Sequence, residues 1–328
     1  MPIPRRWAAA RARAKLYASL RASLAAAGYL EVETPCLVPA PGMEPHITAF
    51  EVPFLPEMDV GRPRPLYLHT SPEYAMKRLL ADGSGPIFQV CKVFRNGEVS
   101  RTHNPEFSML ELYRPEADQE AVMADLERML AAADRALDGG GFFTRAPYLR
   151  LPVREAFLAA AGIDLERCPD AGALGEAARR SGVAARDTDG YDDIFFRVFL
   201  ERVEPGLGRD RPTYLTEYPA SMAALARLKP GHPEVAERFE LYAHGLELAN
   251  GFSELVDGCE QRRRLLAEQE QRRRTGRTVY PLDEAFLEAV GRMPPSGGVA
   301  VGLDRILILF TRAESIEDVL LFPAHAFL

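Results

Sequence analysis

One stretch constrains this chain more than any other: Val93–Tyr113, VFRNGEVSRTHNPEFSMLELY. It opens as an apolar strand ending in Arg95, passes through a polar turn and returns as a second, alternating strand. On the return, Phe107, Met109, Glu111 and Tyr113 are spaced by two, which puts them on one face of a strand. That face carries an aromatic plane, a carboxylate and a phenol, with Arg95 and His103 close by in the chain. The mixture suits a flat base, a phosphate and an ammonium side by side. An amphipathic hairpin with solvated charges fits the same pattern.

Composition narrows the classes. At 328 residues the chain can bury one large core or two modest ones. Hydrophobic residues at 47% and charged residues at 27% are those of a soluble globular protein. A net charge of −7 argues against a general nucleic-acid surface, which is normally basic. No apolar run approaches a membrane span. The N-terminus spreads arginines among alanines, which fits an amphipathic first helix better than a signal peptide or a mitochondrial-type presequence. Cys36, Cys91, Cys168 and Cys259 show no Cys-x-x-Cys and no His partner at metal spacing. They are expected as buried thiols in a reducing cytoplasm.

Along the chain, residues 8–27 predict a helix ended by Gly28, then an extended Gly28–Pro39 with a bend at Pro35. Pro41–Pro65 is proline-rich and irregular. Leu66–Leu80 predicts strand, turn and helix, with Thr70 or Ser71 as cap, Pro72 at the first helical position and Glu73 in the first turn. Glu73 there also simply complements the helix dipole. Asp118–Leu137 predicts a helix broken by Gly139–Gly141, and residues 150–205 a mostly helical insertion in which Asp192 and Asp193 are solvated or capping. A strand over Arg211–Tyr218 leads into PASMAALARL, expected beside a small-molecule pocket.

Glu240, Glu247 and Glu254 recur every seven residues, which in an unbroken strand alternates faces. Gly245 and Asn250–Gly251 are the expected points for a bulge or turn that resets the register. A carboxylate stripe on a solvated helix has the same period, but the two glycines and the β-rich start argue against it. Glu260–Arg277 predicts a charged helix with a solvated face. Gly297–Phe310, GGVAVGLDRILILF, predicts a glycine-rich strand followed by a helix opened by Arg305.

Phe94-Arg95-Asn96, His103-Asn104-Pro105-Glu106-Phe107 and Met109-Leu110-Glu111 through Tyr113 resemble motif 2 of the class II aminoacyl-tRNA synthetases, in its lysyl form. Gly28–Pro39 resembles motif 1 and Gly297–Phe310 motif 3, in the family's order and across nearly the whole chain. The resemblance implies an α+β fold: one catalytic domain over 1–328 with an antiparallel sheet flanked by helices. It implies a homodimer through motif 1, and activation of a carboxylate by attack on the α-phosphate of ATP. Arg95 would clamp that phosphate, Phe107 would stack on adenine and Arg305 would lie on its other side. Asn96, Gly97, His103, Asn104, Leu248 and Gly302 would complete the nucleotide site, and Glu240 and Glu247 would carry Mg²⁺.

Thr70-Ser71-Pro72-Glu73-Tyr74 and Gly245–Glu254 also resemble lysyl-type segments. They imply Ser71, Pro72 and Glu73 at the guest's amino group, Asn250 at its carboxylate, and Glu254 with Tyr113 at its side-chain ammonium; Glu111 joins this set. A buried ammonium needs such anionic partners to offset desolvation. Motif 1 begins at Gly28, which leaves no room for the anticodon-binding barrel of lysyl-tRNA synthetases. The pattern is therefore closest to the stand-alone paralogues that modify elongation factor P in the cytoplasm. These activate (R)-β-lysine, or lysine less well, and transfer it to the ε-amino group of one lysine on that factor, with no tRNA involved.

Two positions depart from the lysyl-tRNA enzymes. Ala300 stands where they have glycine, and a methyl group there would reshape the pocket floor in favour of a shifted amino group. Gly97 stands where motif 2 has the glutamate that meets adenine, so Glu98, one position later, or the backbone would substitute. The alternatives are an enzyme acting on tRNA or a small amine, and a catalytically silent synthetase-like regulator. Retention of Arg95, Glu240, Glu247 and Arg305 argues against the silent form.

Overall fold

Alternation along the strands divides the protein into a dry face and a polar face. The computed structural model describes residues 3–57, 61 and 63–326. Pro41–Pro65, expected to be irregular, carries a strand over Glu51–Phe54 paired with Arg64–Leu68; its positions 58–60 and 62 lie outside the described residues.

The chain opens with α1 (Ile3–Ala26), which starts earlier than its alanine-rich pattern suggests and stops before Gly28, at φ +84°. Short strands β1 (Leu30–Glu31) and β2 (Leu37–Val38) flank Pro35, followed by β3 (Glu51–Phe54), β4 (Arg64–Leu68) and α2 (Glu73–Ala81). Pro72 is the cap residue of α2 rather than its first helical residue; the Ser71 hydroxyl accepts from the Glu73 N–H at 3.0 Å. The hairpin is β5 (Ile87–Phe94) and β6 (Glu106–Pro115), and α3 (Gln119–Leu137) follows, capped by Asp118. The insertion starts with β7 (Leu149–Pro152) and continues as α4 (Val153–Ala161), α5 (Ala171–Arg180) and α6 (Tyr191–Val198), with a π-helical turn over Phe199–Val203 and a 3₁₀ turn to Gly206. It has its own core around Phe157, Phe195 and Phe199. Asp193 accepts from the Gly190 N–H at 3.0 Å, the capping role expected of it.

Then come β8 (Thr213–Pro219), β9 (Leu228–Lys229), β10 (His232–Ala243), β11 (Leu246–Ser253), α7 (Gly258–Arg274), α8 (Glu284–Val290), β12 (Ser296–Gly302) and α9 (Leu303–Thr311). Among the described residues these strands form a nine-stranded sheet in the order β1-β5-β6-β12-β11-β10-β8-β7, with β9 on β10, and a small sheet β2-β4-β3. Pairing is antiparallel from β5 to β8 and parallel only at the two ends, β1 on β5 and β7 on β8. One face of the sheet packs Leu110, Leu112, Val299, Val301, Phe239 and Leu241 against α1, α3 and α9. Such one-sided burial is what an alternating antiparallel sheet permits.

Two expectations are corrected. Cys36 and Cys259 are exposed and only Cys168 is buried: Cys36 sits in the bend before β2 and Cys259 in the first turn of α7. The charged helix α7 is not merely solvated, because Arg272 is fully buried over the Tyr280 ring and donates to the carbonyls of Glu44, Ile47 and Thr278. Arg264 likewise donates to the carbonyls of Ala224 and Ala226. A guanidinium with five donors can satisfy loop carbonyls that no strand reaches. Among the described residues no helix is long and apolar enough to cross a membrane.

Candidate active site

The strand registers line up side chains from distant parts of the chain. Gln89 pairs with Glu111, Glu111 with Ala300, Ala300 with Asn250 and Asn250 with Glu240, giving one row across five strands. Two residues along runs a second row, Ile87, Tyr113, Gly298, Phe252 and Arg238. Both rows lie on the face away from the core. Ala300 thus stands between Glu111 and Asn250, so its methyl group adds bulk between those two groups.

The register of the three glutamates resets, but not where expected. Leu241 pairs with Ala249 and Tyr242 with Glu247, leaving Leu248 as an extra residue in a bulge. Glu247 is thereby returned to the face of Glu240. His244 and Gly245, both at positive φ, form the two-residue hairpin turn. Asn250–Gly251 is mid-strand, where a Cβ on Gly251 would overlap the Phe239 ring. Leu248 itself packs into the core, so only its backbone faces the site.

At one end the groups suit ammonium ions. Ser71 Oγ donates to Glu111 Oε1 at 2.6 Å and Tyr113 OH to Glu111 Oε2 at 2.9 Å. Lys77, fully buried, forms ion pairs of 2.6 Å with both Glu73 and Glu254. Gly298 is required here, since a Cβ would overlap the Glu254 carboxylate and the Tyr113 ring. One lysine against Glu73, Glu111 and Glu254 leaves the pocket with more carboxyl groups than cations. Burial, with Glu73 nearby, pushes Glu111 up to about 8. Burial also pushes Glu254 up to about 7, with Lys77 pulling against it. Burial opposes the charge on Lys77, but Glu254 and Glu73 outweigh it and the net shift is upward.

At the other end the groups suit a nucleotide. Arg95 lies over the Phe107 ring, 5.2 Å from its centroid, so a base stacking on that face would displace the guanidinium. Gly97, at φ +86°, occupies the third position of a turn closed by the Glu98 N–H donating to the Arg95 carbonyl at 3.4 Å. A type II turn requires that conformation. It returns the Glu98 carboxylate to within 3.9 Å of Arg95, with one oxygen buried and lacking a donor among the described residues. Arg305, in the first turn of α9, donates to the Glu247 carbonyl at 2.9 Å and to His103 Nε2 at 2.7 Å. Burial and the neighbouring Arg305 and Arg95 hold His103 down at about 4, so the ring is neutral. Its Nδ1–H then donates to Ser100 Oγ at 2.7 Å. Asn104 differs from a free nucleotide contact: its amide donates to the Glu106 carbonyl and accepts from the Ala324 N–H, which pins the C-terminal segment.

Glu240 is held by Arg238 at 2.5 Å and Tyr242 at 2.6 Å, and Glu247 by Arg305 at 3.3 Å. Burial and Glu240 both raise Glu247. Two like-charged carboxylates on one face fit a divalent cation, and Mg²⁺ commonly takes one or two carboxylates plus phosphates and water. Among the described residues no third His, Cys, Asp or Glu completes a ligand cluster, so the pair fits an ion that arrives on phosphates.

Several site residues escaped the sequence reading. Lys77 was visible only as a lysine four after Glu73. Glu204, from the end of the insertion, is pushed up to about 7 by burial and by Glu247. Asp304 ties α9 to α1 and β6, pairing with Arg13 and accepting from the Ser108 N–H at 2.6 Å.

The chain matches the family described as tRNA synthetases class II (D, K and N) over residues 4–326. It is 42% identical over 317 residues to the elongation factor P--(R)-beta-lysine ligase of Salmonella typhi, spanning 94% of this chain and 93% of that one. It is 41% identical over 315 residues to the protein of the same name from Erwinia tasmaniensis, spanning 94% and 93%. For Haemophilus influenzae the values are 40% over 311 residues, 94% and 93%.

Proposed function

Because this chain belongs to the class II tRNA synthetase family of the D, K and N type, we propose that it is an ATP-dependent ligase that lysylates elongation factor P. It activates (R)-β-lysine, or lysine, as an adenylate and transfers it to the ε-amino group of one lysine on the factor. The observation that carries this reading is the buried pocket of Glu73, Glu111 and Glu254 around the single Lys77, in a chain so similar to ligases of that name. Buried carboxyl groups in excess of cations, held partly protonated by burial, ionise against a guest that brings more than one ammonium group.

In the first step the guest carboxylate attacks the α-phosphate of ATP and pyrophosphate departs. Positioning and charge neutralisation do most of this work. Ser71, Pro72 and Glu73 hold one ammonium, Glu254 and Tyr113 the other, and Asn250 the carboxylate. Arg95 clamps the α-phosphate, while Arg305, kept in place by His103 and Glu247, flanks the base opposite Phe107. Glu240 and Glu247 would hold Mg²⁺, which would neutralise phosphate charge. Ala300, between Glu111 and Asn250, biases the pocket toward a displaced amino group by no more than a few kcal/mol.

We further read the chain as one catalytic domain carrying a helical insertion, acting as a homodimer in the cytoplasm, where translation factors work. The test is ATP–pyrophosphate exchange with (R)-β-lysine, (S)-β-lysine and L-lysine, followed by the intact mass of elongation factor P after incubation. Exchange with a lysine isomer and one added lysyl mass is the expected result. Exchange without added mass rejects the acceptor; no exchange rejects the enzyme.

A further inference from the structure

An amine acceptor poses a problem that a hydroxyl acceptor does not. A lysine side chain ionises near pH 10.4 and so reaches the site at neutral pH as an ammonium, with no lone pair to donate. Some group must take that proton. Most candidates are engaged: Glu111 by Ser71 and Tyr113, Glu73 and Glu254 by Lys77, Glu240 by Arg238 and Tyr242, Glu247 by Arg305, and His103 by Arg305 and Ser100. Glu98, with a donorless oxygen of its own, and Glu204 stand at the nucleotide end, beside Arg95 and Glu247.

Glu44, on the loop between β2 and β3, is different. Its backbone is fixed, since Arg272 Nη1 donates to the Glu44 carbonyl at 2.8 Å and the Ile47 carbonyl at 2.9 Å. Its side chain folds back over Gly42, where an added Cβ would overlap Oε2. That oxygen is shielded from solvent and has no hydrogen-bond donor among the described residues. Thr70, 1% exposed, turns its own partnerless Oγ1 to within 3.0 Å of the same Gly42 position. Glu44 lines a cavity of about 120 Å³, roughly ten times the smallest space that holds one water. The lining runs from Pro39 and exposed Arg78 to Ser71, Pro72 and Glu73, so the cavity ends at the amino-acid pocket.

We propose that this cavity admits the primary-amine side chain of the protein acceptor and that Glu44 is the base that takes its proton. The proposal rests on the lysine acceptor argued above. The Glu44 carboxylate accepts one proton from the ammonium, and the freed nitrogen lone pair attacks the acyl carbon of the adenylate. The C–N bond forms, the C–O bond to phosphate breaks, and AMP leaves carrying the electron pair. The second nitrogen proton departs with the AMP phosphate. Burial and Glu73 push the Glu44 carboxyl upward, against the pull of its own backbone N–H and of Arg95 and Arg272. Tyr74 and Glu268 also face it, and Glu268 is itself pushed up to about 8. An upward shift makes a carboxylate a stronger base.

The experiment separates the two half-reactions on the full chain. Exchange with a lysine isomer reports adenylate formation, and mass gained by elongation factor P reports transfer, between about pH 6 and about pH 9. Glu44→Gln is expected to lower the ratio of transfer to exchange about 100-fold near neutral pH, the loss shrinking about tenfold per pH unit as the acceptor ionises unaided. Glu44→Asp, which keeps a carboxylate, is expected to recover part of that ratio. Hydroxylamine, uncharged at neutral pH, is expected to intercept the adenylate of Glu44→Gln in the same proportion to exchange as in the wild type. Exchange falling in step with transfer, or a pH slope identical to wild type, overturns the proposal and leaves Glu44 a structural part of its loop. If Glu44→Gln does not fold, the pH slope of Glu44→Asp decides in the same way. Wild-type exchange with no mass added to the factor overturns the acceptor reading, and this proposal with it.

Discussion

Glu111 is a carboxylate that burial disfavours ionising, and that has consequences for stability and for binding. Its folded-state value of about 8 lies far above the roughly 4.3 of an unfolded glutamate. Between those values the folded chain holds the extra proton, so the stability Glu111 contributes is complete at low pH and is lost as pH rises through about 8. Glu111→Gln, neutral throughout, is expected to flatten the fall in melting temperature over that window in the free protein. The same variant should raise KM for lysine in pyrophosphate exchange by about tenfold or more, because a bound ammonium draws the Glu111 carboxyl into its ionised form and glutamine has none. Wild-type pH dependence of melting in Glu111→Gln would show that the carboxyl titrates normally. Glu98 supports a second residue-scale prediction. Its donorless oxygen, near the Arg95 guanidinium that covers the Phe107 ring, suits the amino group of adenine. Glu98→Ala should raise KM for ATP about tenfold while KM for lysine holds. The Gly-Glu order was plain in the sequence; that it builds a type II turn aiming Glu98 back at Arg95 needed the backbone.

Helices α2 and α7 look like ordinary charged helices in sequence, and each hides one buried cation. On α2, the Glu73–Lys77 spacing suggests an exposed pair worth a few tenths of a kcal/mol. The second partner, Glu254, lies on the far side of the sequence and turns the pair into a buried triad. Lys77→Met would leave two carboxylates without their cation, at a cost of about 3–5 kcal/mol. Melting temperature should fall accordingly, and Lys77→Met combined with Glu254→Gln should regain part of the loss. Additive losses in the double variant would show that the two groups do not interact. On α7, Arg272 sits among six arginines of similar spacing, and its carbonyl partner at Glu44 is 228 residues away. Helical periodicity holds no trace of such a partner. The strand elements were more legible, because the hairpin's alternation already separated Glu111 and Tyr113 from the core residues Leu110 and Leu112. The reset of Glu247 was foreseen in kind but placed at Gly245, since a bulge at Leu248 leaves no composition signal.

At the scale of the whole molecule, the sheet ends on the motif 1 side with unusual apolar exposure. Leu30 is 60% exposed on β1 and Leu37 38% exposed on β2, where short strands leave backbone edges open. Edges of that kind in soluble proteins are normally covered or charged. A second copy related by a two-fold axis would cover the same patch on both partners. Leu37, Val38 and Pro35 also wall the cavity beside Ser71 and Glu73, so the surface and the site share residues. Light scattering on the wild-type chain is therefore expected to give a dimer mass. Leu30→Asp with Leu37→Asp should give a monomer, because two buried carboxylates facing their own copies on the axis would each lack a partner. Exchange activity should fall with the dimer, and should recover in proportion to dimer at high protein concentration. A double variant that stays dimeric places the interface elsewhere. A monomer with full activity separates the interface from the pocket, and leaves the cavity wall intact without a partner against it.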